Sequence, residues 1–232
     1  MRAMWIGTET AQRLALGNEF FDRKPSHVTP PGASFLRNSE GLYGLWFFAI
    51  NNHLYWVQQE HGLELGMPDQ DGMRTFQGRA ALGALRTTSY WLTAILATLI
   101  ETYTKDLLTF VAARDPGLFG DLGASLSPRQ VARKWVRGRT APREWLEGFG
   151  LLGVSGFSPD TDQVLHELLG VRHLVVHSAG IVDEGYLEHH PSSGWTLGSE
   201  ARIDDAMLHT FIRATFDFFA PIEAHFVARF VH

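Results

Sequence analysis

The chain has 232 residues, of which 45% are hydrophobic and 19% charged, a composition that excludes an intrinsically disordered protein and permits one large core. It contains no cysteine, which excludes disulfide bonds and thiolate metal sites. The formal net charge of -5 argues against indiscriminate nucleic-acid binding, which needs an excess of Lys and Arg. We expect a cytoplasmic protein without membrane contact, because the sequence shows neither a signal peptide nor an apolar run of roughly 20 residues.

The amino-terminal third is predicted to form an arm followed by a helical extension. Residues 1–33 contain one short helical segment, Thr10–Phe21, and we interpret them as an arm or linker. Regular structure should break where prolines and a glycine cluster, at Pro25, Pro30, Pro31 and Gly32. Aromatic and aliphatic residues between Ser34 and about Leu65 favour a buried helix, and a polar loop is expected at 66–78. Residues 34–78 are therefore predicted to be an N-terminal helical extension.

The strongest helix prediction covers residues 79–114. Apolar residues recur there at intervals of three and four until the middle is apolar nearly all round, which is typical of a helix at the centre of a bundle. These residues include Trp91, Leu92, Leu96, Leu99, Tyr103, Leu107 and Phe110. The sequence Asp115-Pro116-Gly117 should end this helix.

A second long helix is predicted at the carboxyl end, from about Asp204 to Phe230, with a kink at Pro221. An irregular connection or small hairpin should precede it over residues 185–201, where Pro and Gly recur. Together these elements predict an all-α fold with a helical bundle over residues 79–232.

A basic helix is predicted to start at Ser127-Pro128-Arg129-Gln130. Ser is placed as its cap, Pro at the first position, and Gln to complete a capping box. Residues 129–143 carry six positive charges and no acid. Spacing by four puts three of the cations on one helix face, namely Arg129, Arg133 and Arg137. Two interpretations stay open: a solvated face, and a surface that binds RNA.

The stretch VRHLVVHSAGIVD, residues 171–183, combines a buried helical pattern with clustered ionisable groups. Ser158-Pro159 should cap its helix and Gly180 should end it. Arg172, His173 and His177 interrupt an otherwise apolar run, and one interpretation is that they only partner exposed carbonyl groups at the helix end.

A metal site is a second interpretation of the histidines in this region. His166, His173 and His177 are spaced by seven and four, which aligns their imidazoles on one stripe. The zinc-protease arrangement His-Glu-x-x-His is absent, because Leu174 follows His173. Further ligands could come from His189-His190, although adjacent histidines in a polar loop are more typical of plain surface residues.

The six residues Arg172 to His177 fit a pattern of Arg, a polar residue, three variable residues and His. Asp183 and Tyr186 follow, and we interpret both as shaping the turn. With this motif closing the penultimate long helix, the sequence resembles the HEPN superfamily over roughly residues 80–230. That superfamily consists of helical-bundle domains of prokaryotic toxins, phage-defence proteins and eukaryotic RNA-processing factors. His173 departs from the Asn or Asp more usual at its position.

The resemblance implies a metal-independent endoribonuclease without a cofactor, acting as a toxin or defence effector. Its site would form between the protomers of a homodimer, with catalytic roles for Arg172 and His177 and a supporting role for His173. These residue types suit RNA cleavage, because His transfers protons near neutral pH and Arg can hold two phosphate oxygens. The alternative is a non-catalytic HEPN module that binds a partner such as a nucleotidyltransferase or an antitoxin, or that acts as a scaffold.

Overall fold

The computed structural model describes residues 27–42, 44, 71–139 and 141–231. Residues 30–42 are helical and are called α1. The later elements are α2 (Asp71–Arg114), a short 3-10 helix (Pro116–Phe119), α3 (Asp121–Ser125), α4 (Pro128–Arg137), α5 (Pro142–Leu151), α6 (Thr161–His177), α7 (Glu184–His189) and α8 (Asp205–Phe230). Within the described ranges no strand forms beyond a single antiparallel bridge between Ile181 and Glu200. The predicted all-α class is confirmed.

Helix α2 lies at the centre of the molecule, as its apolar pattern predicts. It packs against α4, α6, α8 and the 3-10 helix. Leu107, Leu108 and Val111 are completely buried, and the helix ends at Arg114, directly before Asp115-Pro116. Trp91 differs from the prediction, because 64% of its surface is exposed. Among the described helices none has the length and apolarity needed to span a membrane.

Helix α2 also begins earlier than predicted, at Asp71, so residues 71–78 are helical and do not belong to a loop. The segment from Asp71 to Arg114 contains no proline, and its three glycines, Gly72, Gly78 and Gly83, lower helix propensity without removing a hydrogen-bond donor. The predictions for Thr10–Phe21 and for residues 45–70 fall outside the described residues.

Helix α1 starts inside the segment predicted to be an arm. The Thr29 hydroxyl accepts a hydrogen bond from the Gly32 amide, and the Thr29 carbonyl accepts one from Ala33. Pro30 and Pro31 occupy the first helical positions, where a missing N–H costs no intrahelical bond. The proline pair was expected to break regular structure, but with this cap it begins a helix.

The side chains of α1 enter the same core as those of α2 and α8. The Phe35 ring stacks on Phe219 with centroids 4.5 Å apart and lies 5.1 Å from the Tyr103 ring. Burying one such phenylalanine contributes about 1.5–3 kcal/mol. Residues 30–42 are therefore packed onto the bundle over an aromatic cluster.

Candidate active site

Helix α6 has one buried side and one exposed side. Its buried side chains include Leu165, Leu168, Val171 and Leu174, all of which have at most 1% of their surface exposed. At about 100° per residue these positions cover one continuous arc of the helix. The helix begins at Thr161 with Asp160 as N-cap, two residues after the cap predicted at Ser158. Its end at His177 places the whole Arg-x4-His motif in the last two turns.

His173 and His177 lie together on the exposed side of α6. Their ring centroids are 4.9 Å apart, and the ring planes are inclined at 42°. Both residues are exposed. His177 belongs to the last turn of the helix. The structure therefore provides two adjacent, accessible imidazoles at one helix end.

Arg172 lies on a different side of the same helix. It is half-buried, and its direction differs from that of His177 by about 140°. Within the described ranges Arg172 forms no hydrogen bond or ion pair that would fix its guanidinium group. The helix of a single chain thus directs the predicted Arg and His to different sides.

The turn after α6 is shaped by two residues with positive φ. Ala179 has φ +51° and Gly180 has φ +80°, a region that costs a side-chain-bearing residue about 1 kcal/mol or more. The Gly180 amide donates to the Leu174 carbonyl, which confirms the predicted glycine stop. A methyl group at Gly180 would lie 2.6 Å from the Tyr90 ring of α2, so this position has room only for glycine.

Asp183 caps the short helix α7 and faces the end of α6. Its carboxylate accepts hydrogen bonds from the Tyr186 amide at 2.8 Å and the Ser178 hydroxyl at 2.7 Å. These two bonds, with a further contribution from His173, lower the pKa of Asp183. An ionised carboxylate therefore stands close to His173, and Asp183 shapes the turn as the sequence predicts.

The comparisons with known proteins give no relative: no protein-family model, no curated protein and no solved structure matches this chain. The resemblance to the HEPN superfamily over roughly residues 80–230 therefore stays a prediction, for which the motif at residues 172–177 is the signal. Its structural context is the position of the motif, which closes α6 and precedes the final long helix α8.

A second group of histidines lies beside the motif, in a cleft of about 320 Å³ between α6 and α7. Four imidazoles line it, those of His166, His173, His189 and His190. The sequence pattern indicates plain surface residues for the last two, and His189 is exposed as expected. His190 is half-buried against His166, with ring centroids 4.5 Å apart. Its only sequence signal, the pair of adjacent histidines, could not reveal that contact.

The metal interpretation has no geometric support in the described part of the chain. No three or more His, Asp or Glu side chains there are arranged to hold a metal ion. His166 and His173 both line the cleft, yet this cleft does not bring a third ligand of these types into place with them.

The basic face of α4 is exposed, as predicted. Both the amide and the hydroxyl of Ser127 donate to the Gln130 side chain, which confirms the capping interaction. Three cations on this face are exposed and form no ion pair with a described residue, namely Arg129, Arg133 and Arg137. Trp135 is buried against Phe149 and packs in the core. The surface can therefore attract a polyanion, and its RNA-binding role remains a prediction.

Proposed function

We propose that this protein is a metal-independent endoribonuclease of the HEPN type, acting as a toxin or defence effector. The observation that carries the proposal is the pair of exposed imidazoles of His173 and His177, 4.9 Å apart at the end of α6. Adjacent accessible imidazoles can accept one proton and donate another in the same reaction.

The proposed reaction uses the RNA's own nucleophile. The 2'-hydroxyl oxygen attacks the adjacent phosphorus, and an imidazole accepts the hydroxyl proton. A second imidazole donates a proton to the 5'-oxygen as its bond to phosphorus breaks. The products are a 2',3'-cyclic phosphate and a 5'-hydroxyl, so neither water nor a metal ion is consumed.

Arg172 would hold the phosphate oxygens with its guanidinium group. Because Arg172 and His177 of one chain face different sides of α6, we infer that the Arg comes from a second copy of the chain. A two-fold axis near the end of α6 would supply two such sites, each with His177 from one protomer and Arg172 from its partner.

The first experiment measures cleavage of a single-stranded RNA in excess EDTA. His177→Ala should reduce the rate by at least about 10²-fold, the usual contribution of one proton-transfer group, while the helical circular-dichroism spectrum is kept. His27→Ala is the matched control, because His27 is an exposed imidazole outside α6 and α7. Unchanged cleavage by His177→Ala would remove this residue from the mechanism.

A second experiment tests the shared site. Arg172→Ala and His177→Ala proteins, each inactive, are mixed in equal amounts and allowed to exchange subunits. Half of the dimers then contain both variants, and one of their two sites is intact, so about a quarter of wild-type activity should return. No recovery would place the Arg and the His of each site in the same chain.

The second candidate function is a non-catalytic module that binds a protein such as a nucleotidyltransferase or an antitoxin. This function is favoured by three large apolar side chains that are exposed around the end of α6. Val176 and Ile181 flank the turn that follows the helix, and Leu197 comes just before the segment whose backbone hydrogen-bonds to that turn. A contiguous exposed apolar patch is typical of protein-binding sites. Purified protein that cleaves no RNA under any condition would favour this function.

A further inference from the structure

The cleft between α6 and α7 has a wall of stacked rings. Trp195 stacks on Tyr186 with centroids 5.3 Å apart, Tyr186 on His190 at 4.5 Å, and His190 lies 4.5 Å from His166. The planes of successive rings are inclined by 24°, 25° and 33°. His166, Tyr186 and His190 line the cleft, so these three rings form one of its walls, and Trp195 stacks on Tyr186 without lining the cleft itself.

No Lys, Arg, Asp or Glu side chain lines this cleft. His190 is held uncharged at neutral pH, since burial, with His166 and His189 nearby, lowers its pKa to about 4. A neutral imidazole offers one donor and one acceptor. A cleft lined by aromatic rings and imidazole nitrogens, without Lys, Arg, Asp or Glu, suits an uncharged planar heterocycle better than a phosphate group or a metal ion.

One of the residues that line the cleft carries a buried donor that lacks a partner. Tyr186 is only 4% exposed, and its hydroxyl has no hydrogen-bond partner among the described residues. An unpaired buried donor destabilises the folded protein by about 1–3 kcal/mol until a ligand or a water molecule accepts its hydrogen bond.

Gly170 determines whether His190 can occupy this wall. A methyl group at Gly170 would overlap Nε2 of His190 and lie 3.0 Å from its Cδ2. The helical glycine of α6 therefore leaves the space in which the His190 ring sits. One added carbon should displace the ring without changing the charge of the cleft.

We propose that this cleft binds one unpaired nucleobase of an RNA strand, next to the bond that the enzyme cuts. Unpaired bases are commonly recognised by stacking on Tyr, Trp and His and by hydrogen bonds to their edges. His173 lines the cleft and is also the neighbour of His177, so the ribose-phosphate of a bound base would adjoin the imidazole pair. The inference rests on the proposed action on RNA, and it assigns the substrate as single-stranded.

The test uses the full chain and short unstructured oligoribonucleotides that carry 2'-O-methyl groups, which block cleavage. Affinity is measured by fluorescence anisotropy for an oligonucleotide with bases and for an abasic one with the same backbone. Gly170→Ala should weaken binding of the first by at least about fivefold, because stacking on a base is lost, and leave the second unchanged. Gly150→Ala is the matched control, since Gly150 is helical and a methyl group there meets nothing within 4 Å.

Several results would overturn the proposal. One is equal affinity of the Gly170→Ala and Gly150→Ala proteins for the base-containing oligonucleotide. Another is equal affinity of the wild-type protein for the oligonucleotides with and without bases. Binding of a free nucleoside monophosphate as tightly as the oligonucleotide would assign the cleft to a small ligand and overturn the assignment to an RNA strand.

The same proteins separate this inference from the proposed function. Base-dependent binding that is sensitive to Gly170→Ala, in a protein that never cleaves RNA, would support the cleft and reject the nuclease. Cleavage of an unmodified RNA at equal rates by the wild-type and Gly170→Ala proteins, at subsaturating RNA, would support the nuclease and reject the cleft.

Discussion

The carboxylate of Glu223 accepts two hydrogen bonds from Thr29, a residue 194 positions earlier in the chain. One comes from the Thr29 amide at 2.7 Å and the other from its hydroxyl at 2.8 Å. The Tyr103 hydroxyl donates a third bond at 2.8 Å. Glu223 and Thr29 are completely buried, so one carboxylate joins the start of α1 to helices α2 and α8.

Replacing Glu223 tests how strongly this carboxylate holds α1 on the bundle. Glu223→Ala should lower the free energy of unfolding by about 3 kcal/mol or more, because it leaves three buried donors without an acceptor. Glu223→Gln keeps the volume and one acceptor oxygen, and should cost less. Urea unfolding followed by circular dichroism measures both, and equal losses for Ala and Gln would contradict the role given to the hydrogen bonds.

His190 should lower the stability of the protein in mild acid. Its pKa is about 4 in the folded protein, against 6.5 for a free imidazole, because burial and the nearby His166 and His189 disfavour its charge. Between these values the unfolded chain binds more protons, so His190 contributes stability that is present above pH 6.5 and lost as the pH falls towards 4. An NMR titration of the ring protons should give a midpoint near pH 4, and a midpoint near 6.5 would contradict the buried position of the ring.

Gly180→Ala should destabilise the turn that follows the motif. An alanine here would have to keep a positive φ, and its methyl group would collide with Tyr90, whose hydroxyl donates to the Ala201 carbonyl at 2.8 Å. We expect a loss of about 2 kcal/mol from backbone strain and the displaced hydrogen bond. Gly150→Ala, at an open helical position, should be neutral or slightly stabilising. Thermal unfolding compares the two, and equal stabilities would show that the turn accepts a side chain.

The basic face of α4 should contribute to RNA affinity through charge alone. Replacing Arg129, Arg133 and Arg137 together with Gln should weaken binding of different RNA sequences to a similar extent, and reduce the salt slope by about 2 for three lost contacts to a single strand. Arg143→Gln is the control, because Arg143 is also exposed but pairs with Glu147 at 3.0 Å. An unchanged salt slope in the triple variant would identify this face as simply solvated.

Local sequence signals determined much of the fold. The three- and four-residue spacing identified the core of α2, Asp115-Pro116 marked its end, and Ser127 with Gln130 marked the start of α4. Such signals succeed because helical hydrogen bonds and caps connect residues at most a few positions apart. For the same reason the sequence placed His173 and His177 on one face, and it could place Arg172 on another.

Only the tertiary structure decided which distant groups meet. The Thr29–Glu223 bonds joined the start of α1 to α8, and the packing of α7 on α6 brought His190, an apparent surface residue, against His166. No periodicity encodes these contacts, because they depend on how separate helices are oriented after their apolar faces pack. The motif was visible in the chain, while the cleft beside it exists only in the folded molecule.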